Sequence, residues 1–114
     1  MLPRENRLKK KKDFENVFKQ GRGFKEDFLF LKFAKNNSKT TRFGFVVGQK
    51  VSKKATTRNR VKRKLRELTA GVLGNIEKGF DTVIVAEKGA ERAGDIKTKE
   101  VFNKLFKKSR LLHD

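Results

Sequence analysis

Residues 42–67 read RFGFVVGQKVSKKATTRNRVKRKLRE, and this stretch carries most of the information about the fold. Its beginning, Arg42–Val47, is mostly aromatic and β-branched, which predicts a strand. A polar and basic connection follows over Gly48–Ala55, and a long helix is expected to begin near Thr56 or Thr57. This order of elements predicts a domain that combines a sheet with helices.

The predicted helix is amphipathic. Because successive residues advance by about 100 degrees, four apolar residues share one face: Val61, Leu65, Leu68 and Val72. The opposite side and its flanks carry cations and one amide. Together with the lysines of the preceding connection they form the candidate binding set of this region, which comprises Lys50, Lys53, Lys54, Arg58, Asn59, Arg60, Lys62, Arg63, Lys64 and Arg66.

The first turn of this helix has an unfavourable charge. Helix N-termini favour Asp or Glu, whereas Arg58 and Arg60 stand here without an acidic capping partner. A phosphate can accept hydrogen bonds from the free backbone amides and from both guanidinium groups. The simpler alternative is a solvated charged face, but such faces usually mix Glu with Lys. Residues 50–66 contain nine basic residues and no acidic one, so we favour a polyanionic partner.

The segment before this stretch is predicted to contain a basic arm and a short helix. Residues 1–12 are basic and have no apolar periodicity, so we interpret them as an extended N-terminal arm that leads into structure. Asp13 is the expected N-cap of a helix of about two turns, because apolar residues recur at helical spacing over Phe14–Phe18. Gly21 is expected to end this helix.

Three further elements complete the prediction. The Phe-rich run Phe28–Lys35 is a predicted strand, and the polar turn Asn36–Thr41 suggests that it forms a hairpin with Arg42–Val47. Thr82–Ala86 is an unbroken apolar run of the kind found in fully buried strands. Residues 98–112 place apolar side chains at helical spacing, which predicts a closing amphipathic helix on the sheet.

Composition limits the class of protein. A chain of 114 residues has room for one hydrophobic core, so residues 1–114 are predicted to form a single domain. It contains 31 Lys and Arg against 13 Asp and Glu, a formal net charge of +18. Residues 1–66 hold 22 of the basic and 5 of the acidic residues, so the first half is expected to face the polyanion, and nucleic acid is the first candidate.

Several classes of protein are disfavoured. The absence of Cys excludes disulfides, zinc knuckles and thiol nucleophiles, and it permits a reducing compartment, so we expect a cytoplasmic location. No apolar run is long enough for a transmembrane helix, so no membrane association is expected. The single His, His113, and scattered carboxylates offer no catalytic or metal-binding constellation, and we predict no protein catalytic residues, no protein-bound metal and no cofactor.

At residues 42–67, and above all at Arg58-Asn59-Arg60, the sequence resembles the signature segment of the bacterial ribonuclease P protein family. The resemblance continues through Asp13–Gly21 upstream and Phe80–Ala90 downstream, in the same order, and covers nearly the whole chain. Gln49 stands where the family more often has Lys, so one phosphate contact is expected to be absent or weaker here.

The resemblance implies a fold, a reaction and partners. The implied fold is an α/β two-layer sandwich, also described as α+β, with a small, mostly antiparallel sheet, room for one further strand and a left-handed βαβ crossover. The implied function is that of the protein subunit of ribonuclease P, which binds the catalytic RNA and the 5′ leader of precursor tRNA while the RNA subunit, with its required Mg²⁺, performs the cleavage. No obligate protein partner is implied.

The leader is single-stranded, and single strands are bound by aromatic stacking combined with cations. The implied leader-binding residues are Phe14, Phe18, Phe30 and Lys32. Packing onto the sheet is the competing interpretation for Phe14 and Phe18, and burial in the core is the competing interpretation for Phe28, Phe30 and Phe33. Strand alternation puts Phe28, Phe30 and Lys32 on one face and Leu29, Leu31 and Phe33 on the other, and the face with Lys32 is expected to meet RNA.

Two other functions compete with this interpretation. A ribosomal or other structural RNA-binding protein would share the composition, but would not share the signature segment. An autonomous nuclease would need catalytic carboxylates or histidines in the protein itself.

Overall fold

The structure is a computed structural model, and it describes residues 2–112. The helices and strands in chain order are α1 (Lys11–Gln20), β1 (Arg22–Glu26), β2 (Leu29–Lys35), β3 (Arg42–Val47), α2 (Ala55–Val72), β4 (Phe80–Ala86) and α3 (Asp95–Ser109). Short 3₁₀ turns occur at Arg4–Asn6 and Leu73–Asn75. His113 lies outside the described residues.

The sheet has the order β1-β2-β4-β3. β2 pairs antiparallel with β1 and with β4, whereas β3 pairs parallel with β4. The sheet is therefore mostly antiparallel, as expected, but the predicted hairpin between Phe28–Lys35 and Arg42–Val47 is wrong. The most apolar strand, β4, lies between the two. A central strand is covered on both faces of the sheet, and an apolar strand suits that position.

The hairpin that does form joins β1 to β2. Asp27 supplies the left-handed backbone conformation of its turn, with φ of 52°. The residue pattern did not predict β1, because Phe24 is the only large apolar residue of Arg22–Glu26 and no alternation is visible. The further strand for which the family resemblance left room is thus present at the edge of the sheet.

The main core lies between one face of the sheet and the helices α2 and α3. Leu29 and Leu31 of β2 and Ile84 of β4 are fully buried there. In α3, Phe102 and Phe106 stack with ring centroids 4.3 Å apart. The closing amphipathic helix is confirmed, although it begins at Asp95 and ends at Ser109.

Helix α1 packs on part of the opposite face. Its Val17 is fully buried against Val83 of β4, in a second and smaller apolar cluster. The predicted α+β class is confirmed, and α1 adds a partial layer beyond the expected sandwich. The connection β3–α2–β4 joins parallel strands, and the left-handed sense of this crossover remains an expectation from the family resemblance.

The N-terminal segment is not the extended arm predicted for residues 1–12. Leu2 and Leu8 are buried, at 2% and 6% exposure. The backbone N–H of Leu8 donates to the carbonyl of Phe43 over 2.8 Å, so the segment covers the outer edge of β3. Two isolated leucines in a basic segment form no amphipathic pattern, and their burial in the two apolar clusters depends on residues distant in sequence.

Helix α1 also begins earlier than predicted. Its N-cap is Lys10, which makes no side-chain capping hydrogen bond, so the prediction that Asp13 is the N-cap is wrong. Asp13 lies inside the first turn, where a carboxylate is favourable, and its side chain approaches Arg42 at 3.4 Å. Gly21 ends the helix, as predicted.

An ion-pair network joins α1 to the sheet. Arg42 of β3 donates two hydrogen bonds to Asp81 of β4, at 2.8 and 2.6 Å. The Asp81 side chain also accepts from the Asn36 amide over 2.9 Å. The hydrogen bonds to Asp81 raise the pKa of Arg42, so this guanidinium stays charged.

We predict that Arg42→Ala lowers the free energy of unfolding by about 2 kcal/mol. Breaking a fully buried ion pair costs about 3–5 kcal/mol. The expected loss of stability is smaller here because the Arg42 side chain is 32% exposed. Urea unfolding measures the change, with Lys39→Ala in the exposed β2–β3 connection as the control. Equal stability of the two variants would contradict the network's role.

Candidate nucleic-acid interface

Helix α2 presents its cations because its apolar face is held by the core. Val61 and Leu65 are buried, as predicted. The buried stripe continues through Thr69, whose hydroxyl donates to the Leu65 carbonyl over 2.8 Å, whereas Leu68 and Val72 are only half-buried. The exposed side consists of Asn59, Arg60, Arg63 and Arg66, followed by Glu67.

The first turn of α2 has the predicted unfavourable charge from Arg58, whereas the second arginine predicted there lies in the next turn. Lys54 is the N-cap without a side-chain capping bond, and the turn contains no acidic residue. Lys53 and Lys54 are exposed immediately before the helix, and Lys50 and Gln49 are exposed at the end of β3. A continuous cationic surface therefore runs from the β3–α2 connection along the exposed side of α2.

Within residues 2–112, three cations of this surface have hydrogen-bond or ion-pair partners in the protein. One terminal nitrogen of Arg58 donates to the carbonyls of Ser52 and Lys53, each over 3.0 Å. Arg58 therefore supports the connection that precedes the helix, in addition to carrying charge there. Lys64 lies 3.7 Å from the carboxylate of Asp95 at the start of α3.

Arg60 reaches the β4–α3 connection, where its guanidinium donates to the carbonyl of Glu91 over 2.9 Å. The Glu91 carboxylate in turn accepts from the backbone N–H of Gly89 over 2.7 Å. Hydrogen bonds from the backbone N–H groups of Glu91 itself and of Gly89 lower the pKa of this carboxyl. These contacts orient the cations of α2. The spacing of residues in the sequence does not predict them, because the partners lie in other elements.

The second group of predicted residues lies on the face of the sheet that α1 partly covers. Burial alternates along β2, with Phe30 and Lys32 half-buried and Leu29 and Leu31 fully buried, as strand alternation predicts. Phe28 departs from the prediction, because it precedes the strand and is buried in the main core.

Phe14 and Phe18 of α1 differ in their environments. Phe14 is half-buried, and its ring rests on Gly44 of β3, where any β-carbon would overlap it. Phe18 is 41% exposed, which is unusual for a large apolar side chain in this protein. The ammonium group of Lys32 donates to the backbone carbonyl of Phe18 over 2.6 Å, which places the predicted leader-binding side chains of both elements close together.

Two negative findings concern the described part of the chain. Within residues 2–112, no three His, Asp or Glu side chains are grouped so that they could hold a metal ion. No helix in the same range is both long and apolar enough to cross a membrane.

The fold and this surface define a class of protein: a small α+β domain that exposes a cationic helix beside a sheet face with half-buried aromatic residues. The Ribonuclease P family model matches residues 2–110, so the chain belongs to the ribonuclease P protein family.

Curated relatives agree with this assignment. The chain is 34% identical to the ribonuclease P protein component of Pseudanabaena, over 99% of this chain and 98% of the relative. It is 35% identical to the Fusobacterium nucleatum protein of the same description, over 94% of this chain and 99% of that one.

Solved structures agree as well. The ribonuclease P protein of Thermotoga maritima superposes with a TM-score of 0.81 at 34% identity, over 90% of this chain and 96% of that one. The Staphylococcus aureus ribonuclease P protein superposes with a TM-score of 0.88 at 22% identity, over 95% of this chain and 98% of that one, which supports the fold.

Proposed function

We propose that this chain is the protein subunit of a ribonuclease P ribonucleoprotein, where it binds the catalytic RNA and the 5′ leader of precursor tRNA and promotes removal of the leader. The observation that carries the proposal is the surface of α2 together with its preceding connection. It holds nine basic residues and no acidic one between Lys50 and Arg66, and the first turn lacks any capping carboxylate.

The catalytic RNA is the proposed partner of α2. Phosphates can neutralise the like charges of the exposed side and accept from the free amides of the first turn. Arg63 and Arg66 are exposed and aligned for such contacts. Arg60 can turn from the Glu91 carbonyl to a phosphate, since a charged acceptor makes the stronger hydrogen bond.

The leader is the proposed partner of the aromatic face. Phe18 is exposed, Lys32 of β2 donates to its backbone carbonyl, and Phe30 shares the strand face of Lys32. Stacking on aromatic rings contributes about 1–3 kcal/mol per base and tolerates different sequences, which suits a leader that varies between tRNAs. Phe14 packs on Gly44 and is half-buried, and we propose that the exposed part of its ring contacts the leader.

The chemistry is proposed to reside in the RNA subunit. We assign the required Mg²⁺ to the RNA, no catalytic group or cofactor to the protein, and no obligate protein partner or membrane to the assembly. The proposed location is the cytoplasm.

Reconstitution tests the proposed function. We expect the purified chain, added to its cognate catalytic RNA at low Mg²⁺, to restore cleavage of precursor tRNA at the 5′ end of the mature sequence. The protein alone should not cleave. A lack of rescue would favour a ribosomal or other structural RNA-binding role, and cleavage by RNA-free protein would favour an autonomous nuclease.

We predict that Arg60→Ala and Arg63→Ala weaken binding to the catalytic RNA and flatten its salt dependence. Removing one cation–phosphate pair should reduce the slope of log K against log salt by about 0.7 to 0.9. Filter binding across a salt series measures the slope, with Lys107→Ala on α3 as an exposed control that lies outside the proposed surface. Unchanged slopes in both arginine variants would refute the proposed position of the RNA.

We predict that Phe18→Ala weakens leader binding with little change in the melting temperature, because its ring is 41% exposed. Phe14→Ala should weaken leader binding and also lower the melting temperature, since its ring packs on Gly44. Comparing the affinities of precursor tRNA and leaderless tRNA for the holoenzyme isolates the effect. If Phe18→Ala lowers both affinities equally, Phe18 does not contact the leader.

A further inference from the structure

A groove of about 670 Å³ separates the N-terminal segment from α2 along the outer edge of β3. Its volume falls within the roughly 300–1,000 Å³ typical of small-ligand sites. The groove lies where two chain segments diverge. The N-terminal segment pairs with β3 at Arg7 and Phe43, and then turns away toward α1.

The two walls of the groove carry the same sign of charge. The N-terminal wall contributes Arg7 and Lys9, and the α2 wall contributes Arg63 and Arg66. Among residues 2–112, Glu67 is the single acidic residue that lines it. Four cations against one carboxylate across a narrow gap focus a positive potential, which favours an anionic occupant.

The floor of the groove is aromatic. Phe45 of β3 is half-buried there, with the Arg66 guanidinium 6.0 Å from its ring centroid. This is the outer limit of a cation–π contact. The ring of Phe14 borders the same floor at Gly44. An aromatic floor between cationic walls is the combination that binds a nucleotide by stacking its base and pairing its phosphate.

We propose that this groove binds an unpaired nucleotide of the catalytic RNA, with the base against Phe45 and the phosphate between the cations of the two walls. The inference rests on the proposed function and adds the N-terminal segment to the RNA-binding surface. The catalytic RNA is the favoured source because Arg63 and Arg66 belong to the exposed row of α2. Of the four proposed leader residues only Phe14 lines the groove, and Phe18, Phe30 and Lys32 do not.

Photocrosslinking tests the groove directly, because the chain contains no Cys and single-cysteine variants can be labelled at one position. A photoreactive group attached to Lys9→Cys, in the complete complex with catalytic RNA and precursor tRNA, is expected to crosslink to an unpaired nucleotide of the catalytic RNA. The same group on Lys107→Cys, on α3, is the positional control. Crosslinks from position 9 to the leader alone, to paired segments alone, or to no RNA would overturn the proposal.

A conservative substitution tests the stacking. Phe45→Leu keeps an apolar side chain but removes the ring, and its affinity for the catalytic RNA is expected to fall about tenfold. Phe24→Leu, a half-buried Phe on the opposite edge strand, is the matched control and should bind normally. Unchanged binding by a folded Phe45→Leu variant would also overturn the proposal, and melting curves check that both variants fold.

These outcomes are distinguishable from failure of the proposed function. If the unmodified chain neither binds the catalytic RNA specifically nor restores cleavage, both proposals fail. If it does both, and position 9 yields no crosslink to unpaired nucleotides or Phe45→Leu binds normally, only the groove proposal fails.

Discussion

The central position of β4 is the constraint on which the rest of the structure depends. Its residues pair antiparallel with β2 on one side and parallel with β3 on the other. Parallel neighbours cannot be joined by a tight turn, so the chain must cross over the sheet between β3 and β4. That crossover is α2, and the cationic helix is therefore part of the topology of the domain. Its position is determined by strand pairing at both of its ends.

Helix α2 satisfies two opposing requirements. Repulsion between neighbouring like charges costs a few tenths of a kcal/mol per pair, whereas burying a side chain such as Val61 or Leu65 contributes about 1.5–3 kcal/mol. Burial therefore outweighs repulsion, and the helix can display its cations in the isolated protein. Arg58 and Arg60 also donate to carbonyl oxygens of adjacent connections, which partly offsets their repulsion.

The elements that could be predicted from the sequence are those whose own residues show a clear pattern. The periodicity of α2 and α3 and the apolar run of β4 each identify an element without reference to the rest of the chain. The hairpin prediction failed because no local pattern reveals that a later strand inserts between two earlier ones. The packing of Leu2 and Leu8 and the partners of Arg58 and Arg60 likewise depend on residues distant in sequence. The cationic side of α2 was therefore predictable as a set, while the groove beside it required the fold.

The two edges of the sheet are protected by different means. The N-terminal segment covers the outer edge of β3 through the bond from Leu8 to Phe43. At the other edge, β1 is only five residues long, carries Arg22 and Lys25, and has one carbonyl occupied by Lys108. Short, charged edges resist addition of a strand from a second molecule. Both borders of the sheet thus disfavour polymerisation of the chain by strand exchange between copies.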